Sequence, residues 1–242
     1  MNTDLANDLS SVFEAFKDKL TRFIALSEQF KNNFNQSEPN QNTETVVLLL
    51  VLQCKDFLIA LYQLKTDEIS ANSSQLTIAR SFLEALIRFD YVSSCGDVAR
   101  KNLVYTDARA LNKRNKKWYE AYSSTLYPEK VANTALKKTK NDGCEDLHGF
   151  FEVLQKCPSR LDGSILKKNE LYSTYKDLCA PAHSDLSYLD NKYFKNHDDN
   201  KFDQVIFYRG IAAFLEGLII NLTPWIEAFS PNQTSKLIGK TV

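Results

Sequence analysis

Apolar residues return every three or four positions over most of the chain, the period of helices that bury one face. Asp4 to about Phe34 carries Leu5, Leu9, Phe13, Phe16, Leu20, Phe23, Phe30 and Phe34 with its charges opposite, which predicts a long amphipathic helix. Glu44 to about Lys65 predicts a core helix around VVLLLVL, after a turn through the polar tract NQSEPNQN. From Asn72 to Cys95 the pattern is apolar on nearly every side. One stripe runs Leu76, Leu83, Ile87 and Tyr91, the opposite one Ile78, Phe82, Ala85, Leu86 and Phe89. Such a helix belongs in the middle of a bundle, covered on both faces. Ser73 or Ser74 is its expected N-cap and Gly96 its stop.

Asp97 is placed to cap a fourth helix running to about Ser123, and Pro128 to start another that ends near Asn141. A short helix is expected from about Glu145 to Lys156. Lys168 to about Asp190 follows, with Tyr172, Tyr175, Cys179, His183 and Leu186 on one stripe and a kink or restart at Pro181. Lys201 to Phe229 predicts the last helix, kinked or ended near Pro224, and the tail from Ser230 to Val242 is expected to fray. With only 7 Gly and 6 Pro, β structure has almost no foothold. The expectation is an all-α, single-domain bundle of about seven helices spanning residues 1–242, with 72–95 at its centre.

Thirty basic and thirty acidic residues cancel, so net charge predicts attraction to neither nucleic acid nor membrane. The distribution is uneven. Asp97 to Lys140 holds eleven Lys plus Arg against four Asp plus Glu, which makes the fourth helix and its continuation basic. The five cysteines lack C-x-x-C spacing and fit reduced thiols in the cytoplasm. The opening MNTDLANDLS reads as no signal or transit peptide. Membrane spans are not expected, because Val46–Leu52 is short and Gly210–Ile226 is interrupted by Glu216, Asn221 and Pro224.

Two constellations carry candidate chemistry. Arg80 and Glu84 fall inside an apolar stripe of the central helix, and His183 inside another. Buried charges cost several kcal/mol unless paired, so these three are expected to share a polar network in the core. A carboxylate beside a guanidinium can fix a histidine tautomer for acid or base work, and the same network can equally be structural, fixing helix register. The second constellation is the basic helix, where Arg109, Lys113, Arg114, Lys117 and Trp118 could follow a phosphate backbone and stack a base, or form an ordinary solvated face. Glu145, His148 and Glu152 could line one helix face as half of a di-iron motif. The partner Glu-x-x-His is missing, and neither metal nor cofactor is expected. No Walker loop, Rossmann fingerprint or G-x-S-x-G occurs.

The run Arg80-Ser81-Phe82-Leu83-Glu84, followed by YSTYKDLCAPAHS at Tyr172–Ser184, resembles bacterial helical proteins of unknown function that are similar in turn to the HEPN superfamily of RNases, toxins and defence proteins. The resemblance implies a helical bundle, often dimeric, in phage-defence or toxin settings. The superfamily's hallmark is an Arg followed four to six residues later by a His on one helix, and no arginine here has that follower. Only Lys192 and His197 have the spacing. The expectation is therefore a cytoplasmic protein that binds or cleaves RNA, with Arg80, Glu84 and His183 in catalytic positions. The competing expectation is a non-catalytic interaction protein that forms a homodimer or takes a protein partner.

Overall fold

The structure is a computed structural model that describes residues 3–34, 43–66, 71–122, 143–147, 149–157, 168–182 and 203–229, with fewer side chains at several of these ends. The described residues form six helices and no sheet: α1 (Thr3–Phe34), α2 (Thr43–Gln63), α3 (Ser73–Tyr122), α4 (Phe150–Lys156), α5 (Lys168–Ala182) and α6 (Gln204–Ala228). The expected helix after Pro128, the stretch from His183 to Asp190 and the tail from Ser230 lie outside the described residues.

α1 buries Leu9, Phe13, Phe16, Leu20, Phe23, Ser27, Phe30 and Phe34. Their alternating steps of four and three place one unbroken row along the helix, and that row meets α6 and α2. Ser27 fits in the row because its hydroxyl donates to the Phe23 carbonyl at 2.6 Å. Ion pairs close both edges: Lys55 meets Glu28 at 2.5 Å from α2, and Lys19 meets Glu216 at 2.8 Å from α6.

α3 is continuous in name only. Gly96 adopts φ 59° and ψ −131°, a backbone that favours glycine, and splits it into a first limb (73–95) and a second limb (97–122). Across the break Arg88 pairs with Asp107 at 3.0 Å, and Asn102 donates to the Tyr91 hydroxyl at 3.0 Å. In a straight helix residues nineteen apart would be separated by about 28 Å, so the second limb folds back along the first. The first limb is the core helix, with Leu76, Ala79, Phe82, Leu83, Leu86, Ile87 and Phe89 buried between α2 on one side and α4 and α5 on the other.

Its N-terminus is capped by Asn72 rather than by a serine. Asn72 Oδ1 accepts from the Gln75 amide at 2.9 Å and Gln75 Oε1 from the Asn72 amide at 2.7 Å, a reciprocal capping box. Gln75 is buried and donates onward to the Tyr208 hydroxyl at 3.0 Å, which itself donates to the Leu61 carbonyl at 2.8 Å. The ends of α2 and α3 are thereby tied to α6.

One other boundary differs from the sequence reading. Residues 144–147 are not helical, because the side chains of Asn102 and Thr106 take the amides of Glu145 and Leu147, each at 2.9 Å, and α4 starts only at Phe150. α6 runs through Pro224 to Ala228, close to the bounds expected from the apolar row. By length and composition α2 and α6 are also each long and apolar enough to cross a membrane, more than the tract lengths suggested. In this fold both send side chains into the common core.

Candidate functional site

Arg80 and Glu84 stand one turn apart on the first limb of α3, on the side that faces α5. α5 carries Tyr175 to them. The Tyr175 hydroxyl donates to Glu84 Oε1 at 2.6 Å and accepts from Arg80 Nη2 at 3.2 Å and, at a long 3.4 Å, from Nε. Arg80 Nη2 also reaches Glu84 Oε1 at 3.1 Å, closing a three-membered ring of side chains. The Tyr175 ring lies parallel on Phe150 of α4, with centroids 4.0 Å apart, so three elements meet at one phenol. The arginine carbon sits 5.5 Å from the same ring.

Both charged groups are less enclosed than the stripe implied. The Arg80 side chain is 24 % exposed and that of Glu84 39 %. The reason is angular: at 100° per residue Arg80 and Glu84 lie about 60° and 100° from Leu83, at the margin of the buried face. The buried charge of this helix is Asp90, 2 % exposed and seven residues beyond Leu83, hence almost in line with it. The sequence reading passed over Asp90, although the spacing Leu76, Leu83, Asp90 contains the signal.

Electrostatics define what the ring can do. Burial works against the Arg80 charge, but the Tyr175 oxygen and Glu84 outweigh it, so the guanidinium is held charged. Burial, then the bond to Glu84, pushes the Tyr175 phenol well above its ordinary range. Tyr175 is therefore a fixed donor, protonated at neutral pH, and the Arg80 charge is already met by a carboxylate. This arrangement clamps α5 to α3 and presents a polar, half-open patch. His183, the proposed base, lies outside the described residues.

The basic limb divides in two. Near the turn its cations are engaged: Arg100 and Lys101 on Asp97, and Arg109 on Asp146 of the segment before α4. Farther along, Lys113 and Arg114 are exposed and have no ion pair among the described residues. The side chains of Lys117 and Trp118 lie outside the described residues. Glu145 does not join a helical ligand face, since it precedes α4 and pairs with Lys156 at 2.5 Å, while His148 is outside the described residues. Among the described residues no group of three His, Cys, Asp or Glu side chains could hold a metal ion. No known protein family, curated protein or solved structure matches the chain.

Proposed function

We propose that the chain is a cytoplasmic, HEPN-like defence or toxin-type protein whose contact with RNA is made by the far part of the second limb of α3. The observation that carries this reading is the contrast along that limb, where cations near Gly96 are spent on carboxylates while Lys113 and Arg114 are exposed and have no ion pair among the described residues. Lys117 and Trp118 continue the same sequence signal, a cation followed by a base-stacking ring. Arg109 adds to it only by leaving Asp146. Binding is favoured over cleavage, because the Arg80, Glu84 and Tyr175 ring is internally compensated and cleavage would depend on His183.

The test is an RNA gel shift at several salt concentrations. Lys113→Ala with Arg114→Ala is expected to weaken binding across sequences and to lower the salt slope by about 1 for each phosphate that is no longer neutralised. His183→Ala is expected to leave binding intact and, if cleavage occurs, to abolish RNA degradation. A double variant that binds as well as the parent overturns the RNA reading.

A homodimer is the second reading, and α6 favours it. Ile206, Gly210, Ala213, Gly217 and Ile220 fall on one face of α6; the two isoleucines are exposed, and a Cβ at either glycine would meet nothing within 4 Å. That small-residue stripe suits close packing of a second apolar helix. Absence of any RNA shift together with a dimeric mass in sedimentation, abolished by Ile220→Glu, would select this reading.

A further inference from the structure

The start of α4 carries a second aromatic pair beside the one at Tyr175. Phe150 is buried and stacks on Tyr175, and the next residue, Phe151, packs on Tyr172 of α5 with ring centroids 4.6 Å apart and planes at 47°. Consecutive helical residues diverge by about 100°, so the second pair lies well round from the first. Phe151 keeps 42 % of its surface exposed although it rests on another ring, and it is the one aromatic among the exposed large hydrophobics of the described residues. Lys176, one turn beyond Tyr172, holds its ammonium 6.0 Å from the centre of the Tyr172 ring. Two carboxylates are near in sequence. Glu152 diverges from Phe151 by about 100° and Asp177 from Tyr172 by about 140°, so neither shares the direction of the rings.

This aromatic ledge is tied to the basic limb. Asn102, Thr106, Arg109 and Lys113 recur at steps of four, three and four, which makes them one stripe of the second limb of α3. The first three members hold the segment that leads into α4: Asn102 and Thr106 accept the amides of Glu145 and Leu147, and Arg109 pairs with Asp146. Lys113 is the next rung of the same stripe and is exposed. Phe151 follows Leu147 by four residues, a span of at most about 14 Å. Lys113 lies about 10 Å along the helix axis from Thr106, the residue that holds Leu147.

We propose, building on the RNA reading above, that Phe151 is a stacking platform for a base of single-stranded RNA, backed by Tyr172, with Lys176 beside it and Lys113 meeting phosphates of the same strand. A ring that receives a base needs open surface on one side and support on the other, and Phe151 has both. Stacking is tolerant of sequence because every base has a π face, and it requires bases that are not already paired and stacked in a duplex. The neighbouring cations supply the attraction for the strand, and the ring supplies its dependence on bases.

The test is fluorescence anisotropy with two labelled probes of equal length, a short oligoadenylate and an abasic sugar-phosphate oligomer, at several salt concentrations. Phe151→Leu is expected to weaken oligoadenylate binding by about tenfold with the salt slope unchanged, and to leave the abasic probe as in the parent. Phe151→Tyr is expected to restore the loss. Lys113→Ala is expected to weaken both probes and to lower the salt slope by about 1. Far-UV circular dichroism checks folding, and Tyr172→Leu, which removes the backing, is expected to weaken the oligoadenylate alone should Phe151→Leu not fold. Parent binding that Lys113→Ala lowers and Phe151→Leu does not overturns the platform and leaves the RNA reading standing. An equal loss on both probes in Phe151→Leu also overturns the platform. No binding of either probe by the parent overturns both.

Discussion

Tyr208 of α6 ties three helices together through one hydroxyl. It is fully buried, holds the end of α2 and the start of α3 through its two hydrogen bonds, and sets its ring edge-on to Phe13 at 4.9 Å. Burial pushes its phenol up to about 12, against an ordinary 10. A pKa raised in the folded state means that the neutral form is the one the fold favours. Its stability contribution is therefore complete below pH 10 and is lost as pH climbs through about 12. Tyr208→Phe is expected to cost about 1–3 kcal/mol at pH 7, because Gln75 and the Leu61 carbonyl are left without their partner, and to flatten the alkaline loss in urea unfolding between pH 10 and 12. Gly96 is a backbone case. A Cβ there meets nothing within 4 Å, so Gly96→Ala tests conformation alone and is expected to cost about 1–3 kcal/mol by the same measurement. At this scale the sequence was partly legible. Gly96 was marked correctly as a break, while Arg80 and Glu84 were taken as buried and Asp90 was missed, because stripe membership was read without the angular offset that separates a margin from a centre.

Helix starts and stops were legible where the reason is local. α1, α2 and α6 fall close to their expected bounds, since long apolar rows with polar breaks between them leave little choice. Boundaries set from a distance were not. The segment before α4 stays out of the helix because Asn102 and Thr106, some forty residues earlier, take its amides, and no local pattern encodes that. Nor does periodicity reveal that the limbs of α3 run back along each other. Between elements, Glu216 is informative: Lys19 and Arg22 of α1 hold its carboxyl below the ordinary 4.5, the hydrogen bond to Lys19 contributing most. A lowered folded-state pKa gives stability that is present above about pH 4.5 and is lost as pH falls through the folded value. The pair is about a third exposed, so Glu216→Gln is expected to remove roughly 0.2–1 kcal/mol at pH 7 and to reduce the acid slope of unfolding between pH 6 and 3.

For the molecule as a whole, the all-α class was legible because every long segment repeats one period, and function was not, because no residue spacing in the chain dictates a reaction. Zero net charge has a practical meaning for the RNA reading. With no overall field to steer a polyanion, any salt dependence must come from the few cations of the second limb, and removing Lys113 and Arg114 should take most of it away.

The pairing of α1 with α6 sets a timing for synthesis. The phenylalanine row of α1 leaves the ribosome before α6 and is covered by that helix, which starts at Gln204, 170 residues after Phe34. At about 5–20 residues per second that interval is on the order of ten to thirty seconds, during which the row faces solvent, α2 or a chaperone. Nascent chains of this protein are thus expected to be most prone to aggregate just before α6 emerges.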